Sequence, residues 1–141
     1  MANLNLGYKY GPRNIQALPV KASTTISTGD MVDLDASGYV QPCGAGDIPI
    51  GVAVGQVPAD EQAATDGALS ITVDTSEESV YRYVPDTGSV AITLVGKSCD
   101  VGGAQSIDID ASTDDCILIR AVDVAANTLD VSLILKPTGV V

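Results

Sequence analysis

Asp108, Asp110, Ser112 and Asp114 in SIDIDASTDD stand at the alternate spacing with which a calcium-binding loop presents its first ligands. The rest of such a loop is missing: its sixth position is Thr113, not Gly, and its twelfth is Ile119, not Glu. The reading these residues favour is a strand edge with Asp108 and Asp110 on its wet face, followed by a polar turn. Lys97 lies two positions before Cys99, on the same side of an extended strand, but a lysine so placed supplies no base to activate a thiol. The chain contains no histidine, the side chain most often used for proton transfer near neutral pH. Gly-rich CGAGD and DVGG lack the following helix and lysine of a phosphate cradle and read as turns. No catalytic set, metal site or cofactor site is expected, and the chain reads as a non-enzyme.

Tyr81, Arg82 and Tyr83 are the remaining constellation. Two tyrosines flanking an arginine make either a cross-strand packing pair or a surface contact platform, because tyrosine joins an apolar face to a polar tip. The first alternative is favoured here.

The elements that must position these residues are strands. There is no Phe or Trp among 141 residues of which 45% are hydrophobic, so the core is built from Val, Ile, Leu and Ala, and β-branched side chains favour pleated sheet. From Lys21 onward, short alternating runs recur between Gly, Asp, Ser and Pro, which predicts an all-β fold, a small antiparallel barrel or sandwich. Val32 and Leu34 lead through an Ala36–Gly38 turn into Tyr39 and Val40 as a hairpin. Ile48, Ile50, Val52 and Val54 share one face of the next strand, while Pro49, Gly51 and Ala53 leave the other nearly bare for close backbone packing. Leu69–Val73, Tyr81–Tyr83 and Val90–Leu94 follow as strands. CILIRAVDV and TLDVSLIL form a second hairpin through Ala125–Asn127, with a bulge expected near Arg120 where the alternation changes phase. PADEQAATDG is a short helix or a loop.

Charge divides the chain. No acid precedes Asp30, so Lys9, Arg13 and Lys21 give residues 1–29 a formal +3, whereas Arg82, Lys97, Arg120 and Lys136 against 18 acids leave the remainder at −14. An acidic body of this kind makes nucleic acid and anionic membrane improbable partners. Residues 1–20 are rich in Asn, Gly and Pro yet keep Leu4, Leu6, Tyr8, Tyr10, Ile15 and Leu18. They read as an extended basic arm with too much apolar surface for a solvated tail, preceding an acidic all-β domain over 21–141. Cys43, Cys99 and Cys116 are an odd, widely spaced set and read as free thiols. The start lacks the apolar run of a signal peptide, which leads to an expectation of synthesis in the cytoplasm.

Two stretches carry a resemblance. ISTGDMVDLDASGYVQPCGAGDIPIGVAVGQVPA and GKSCDVGGAQSIDIDASTDDCILIRAVDVAANTLDVSLIL, spanning roughly Ile26 to Leu135, resemble the bacteriophage capsid decoration, cement or head-stabilisation proteins. The likeness lies in a Gly-Asp-hydrophobic strand, a GxV strand, a Pro and Gly-Asp turn and an IGVAV-like strand in that order, then a DIDAST turn and an AAN hairpin. It implies a virion protein made in the host bacterial cytoplasm and bound to the major capsid protein on the outer capsid surface, commonly as a homotrimer. On that reading Leu4, Leu6, Tyr8, Lys9, Tyr10 and Arg13 are the capsid-binding arm. A carbohydrate-binding or adhesion β-module displayed on a surface is the alternative.

Overall fold

The computed structural model of the chain describes residues 6–135. The alternating runs become β1 Gly7–Tyr10, β2 Ile15–Pro19, β3 Met31–Leu34, β4 Val40–Pro42, β5 Gly51–Ala53, β6 Ser70–Asp74, β7 Val80–Pro85, β8 Ser98–Gly103, β9 Ser106–Asp108, β10 Ile117–Asp123 and β11 Thr128–Leu133. No α-helix forms among the described residues, and PADEQAATDG is a loop. The fold is all-β, in two sheets.

Both sheets curl. In the first, β7, β11, β10, β8 and β9 are successive neighbours, and β9 returns to β7 by a parallel pairing of Val84 with Ser106 and Pro85 with Ile107. These five strands close into a small barrel, with β1 laid antiparallel on the start of β7. The second sheet runs β2-β6-β5-β3-β4, and a bridge between Val20 and Val40 links the end of its first strand to its last. The β7–β9 pairing leaves the five strands of the first barrel without an open end, while β1 and β2 remain edge strands.

Each barrel has its own core. Tyr83, Val101, Ile107, Ile117, Ile119 and Leu129 fill the first, while Val20, Ile26, Val32, Val40, Ala53, Ile71 and Val73 fill the second. The strand period of two makes β3 and β5 serve both, since Met31 and Val52 join the first core and their neighbours Val32 and Ala53 the second. This explains the bare face around Gly51, where a Cβ would stand 2.5 Å from the Asp74 carbonyl oxygen and 2.7 Å from Val73 Cγ1.

Both hairpins and the bulge form as the sequence predicts. Asp33 pairs with Gln41 across the first turn, and the register of β10 against β11 shifts between Ile119 and Ala121, at Arg120. Three readings need correction. Ile48, Ile50, Val52 and Val54 do not share one strand face: β5 is only Gly51–Ala53, and Ile48 packs with Val52 against the first core while Ile50 packs against the second. Val90–Leu94 is not a strand: Val90 is buried, but Ile92–Leu94 is a 3-10 turn held by i to i+3 bonds, in a segment where Gly88 and Gly96 take positive φ. DVGG is not a turn: it ends β8, whose Cys99, Asp100 and Val101 are buried between β9 and β10. Glycine is needed there for space, because a Cβ on Gly102 would meet the Asp86 side chain at 2.8 Å.

Described residues 6–20, read from the sequence as an extended arm, are built into the body of the chain as strands. β1 edges the first sheet and β2 edges the second, pairing with β6 from Ile15–Asp74 to Pro19–Ser70. Leu4 lies outside the described residues.

Candidate functional site

The N-terminal segment crosses from one barrel to the other at Asp74. Its carboxylate is fully buried and accepts hydrogen bonds from the Tyr81 hydroxyl (2.6 Å), the Asn14 amide (3.0 Å) and the Ser76 amide (3.1 Å). Arg13 Nε stands 3.8 Å from Asp74 Oδ2, and its guanidinium lies 3.5 Å from the centre of the Tyr8 ring. Tyr8 meets Tyr81 edge-on at 5.6 Å and donates its hydroxyl to the Gly11 carbonyl. Burial pushes the Asp74 carboxyl up, but the hydrogen bonds led by Tyr81 outweigh it and hold the group below its ordinary value. The partner tyrosine moves the other way, raised by burial and by Asp74.

What this anchorage leaves outside is apolar and basic. Among the described residues, Leu6, Tyr8, Tyr10 and Ile15 are four of the nine exposed large hydrophobic residues, and Lys9, on β1 with Tyr8 and Tyr10, has no carboxylate partner there. Structure thus gathers Leu6, Tyr8, Lys9, Tyr10 and Arg13 on one edge, with Arg13 serving as its inward pin.

The surface-contact alternative for Tyr81 and Tyr83 is overturned, because both rings are buried, at 3% and 1% exposure, with Tyr83 donating to the Gly29 carbonyl at 2.8 Å. The packing alternative describes them. Strand alternation turns Arg82 outward, where it holds Asp130 through two bonds of 2.7 and 3.1 Å.

The acidic turn is organised by a residue the sequence reading passed over. Asp100, buried on β8, accepts the amides of Thr113, Asp114 and Asp115 at 2.9–3.1 Å, so the turn folds around a carboxylate. Asp108 caps the Asp110 amide, and no group of three or more His, Cys, Asp or Glu among the described residues is arranged to hold a metal. The signal for Asp100 was its alternation with Cys99 and Val101, hidden once DVGG had been read as a turn.

All three cysteines are buried and unpaired. Burial pushes the Cys99 thiol up to about 12 and raises Cys43 and Cys116 as well, which keeps them protonated and unreactive at neutral pH.

A second feature was missed. Asp33, Asp35 and Asp47 line a groove of about 520 Å³ with Leu34, Ile48 and Ile50. Asp35 caps the Ser37 and Tyr39 amides, and Asp47 caps the Gly44 amide of the CGAGD turn at 2.7 Å. Asp33 Oδ1 is buried without a hydrogen-bond partner, and burial followed by the charge of Asp47 raises its carboxyl above the usual range.

No protein-family model, curated protein or solved structure matches this chain.

Proposed function

We propose that this chain is a non-enzymatic virion protein that binds the major capsid protein on the outer surface of a tailed-phage head and stabilises the mature shell. The observation that carries the reading is the apolar, basic N-terminal edge on an otherwise acidic body, with Leu6, Tyr8, Tyr10 and Ile15 exposed along 6–15. Apolar side chains held on edge strands suit attachment to another protein by strand addition or by side-chain docking. The sequence resemblance points the same way. A protein that binds only the assembled, expanded shell stabilises it by mass action, and attachment as a homotrimer strengthens weak single contacts. The carbohydrate-module reading loses Tyr81 and Tyr83 as its platform, since both are buried.

The test mixes the purified protein with expanded capsids that lack it, using unexpanded precursor shells as control. Added density on the outer surface by cryo-electron microscopy, with a higher particle melting temperature, is the expected result. Leu6→Asp with Tyr10→Asp, both at exposed positions, abolishes that binding while leaving the protein's own melting unchanged. No added density and no shift with the wild-type chain overturns the capsid reading.

A further inference from the structure

Among the described residues, the most exposed large hydrophobic side chain is not on the N-terminal edge. Ile92, at 77% exposure, sits on the 3-10 turn, none of whose three residues is buried, and Val95 beside it is 45% exposed. The turn is fastened to the first barrel from below: the Gly96 amide donates to the Ile119 carbonyl and the Ile119 amide to the Lys97 carbonyl. Its orientation is therefore fixed. Lys97 and Arg120 stand beside it, both exposed.

The cations of the chain sort themselves around this turn. Arg13, Lys21 and Arg82 each have a carboxylate, in Asp74, Asp35 and Asp130. Outside the N-terminal segment, Lys97 and Arg120 have none among the described residues. Arg120 Nε is committed to the Ser132 hydroxyl at 2.9 Å, which steadies the side chain without neutralising it. A projecting apolar turn flanked by two unpaired cations, on a chain of net charge −11, calls for a partner that is concave, apolar and acidic.

The second barrel carries such a surface. Its groove has Leu34, Ile48 and Ile50 as apolar lining and Asp33, Asp35 and Asp47 as carboxylates, against which, among the described residues, Lys21 alone is set, 3.9 Å from Asp35.

We propose that the Ile92–Leu94 turn, with Lys97 and Arg120, docks in the Asp33–Asp35–Asp47 groove of a second copy of this chain. The two surfaces differ, so the contact is head-to-tail, and its repetition closes a ring when the rotation between copies allows. It leaves the N-terminal edge free, and it holds or fails independently of the capsid reading.

Sedimentation velocity of the full chain without capsids tests it. Wild-type protein associates with rising concentration, and the association weakens about tenfold between about 0.05 M and about 0.5 M salt. Ile92→Asp, Lys97→Glu and, at the exposed groove rim, Ala36→Lys each weaken it at least about tenfold, while circular dichroism shows unchanged folding. Ala36→Lys combined with Lys97→Glu restores opposite charges and regains association. A wild-type chain that stays monomeric at millimolar concentration and low salt overturns the proposal, as do single variants that associate normally or a double variant that regains nothing. Monomers that still decorate capsids sink this inference alone, whereas association without capsid binding sinks the capsid reading alone.

Discussion

The Tyr81 hydroxyl donates a 2.6 Å hydrogen bond to Asp74 Oδ2, joining β7 of the first barrel to β6 of the second in a buried setting. The N-terminal segment is pinned at the same carboxylate through Asn14 and Arg13. One side chain thus ties three parts of the fold together, and its removal strands several donors at once.

Asp74→Ala is expected to cost about 3 kcal/mol, because it leaves the buried Tyr81 hydroxyl and two amides without their acceptor. Tyr81→Phe is milder, at about 1 kcal/mol. Urea denaturation measures both. Hydrogen exchange on Asp74→Ala shows earlier loss of protection in β1 and β2 than in β10 and β11, and uniform loss across all four strands would refute the pinning role.

The Asp74 carboxyl is held below 3.8 in the folded chain, so its stabilisation is fully present above about pH 4 and drains away as pH falls through the lowered value. Melting temperature is expected to drop steeply below pH 4 in the wild type. In Asp74→Asn the same titration contributes nothing, and the acid limb of the melting curve is shallower. Equal acid slopes in the two proteins would rule this out.

Asp33 has the opposite sign. Its carboxyl is raised above 3.8 by burial and by Asp47, so ionising it costs stability as pH rises through the elevated value and costs nothing below 3.8. Asp33→Asn is expected to raise the melting temperature of the dilute protein at pH 7 and to leave it unchanged at pH 3. Thermal melts at the two pH values check this, and a variant less stable than wild type at pH 7 contradicts it.

Gly51→Ala drives a methyl group into the Asp74 carbonyl and the Val73 side chain, at 2.5 and 2.7 Å, where β5 and β6 meet. The expected loss is about 2 kcal/mol or more. Gly38→Ala, at a turn with φ +90 but open space, separates the effects: it carries backbone strain without a clash and loses less. Denaturation midpoints of the two variants give the ranking.

Periodicity and turn chemistry were enough to read the all-β fold, both hairpins and the bulge at Arg120, because a half-buried strand writes its two faces into alternate residues and a turn needs particular residues at particular places. The N-terminal cluster was legible through composition: apolar and basic residues with no acid before Asp30 stand out in any surrounding. What stayed hidden depends on which strand lies beside which. Closure of the first barrel by the parallel β7–β9 pairing joins residues more than twenty positions apart and leaves no local trace, so nothing in DVGG announced that it ends a buried strand. Val90–Leu94 alternates like a strand, yet no neighbour offers it a ladder, and it winds into an exposed turn. Tyr81 lies inside because β1 and β6 bring Tyr8 and Asp74 to it from two sheets. The groove at Asp33 likewise exists only once the 43–50 loop has folded back toward β3, since a concave surface belongs to an arrangement of segments and not to any one of them.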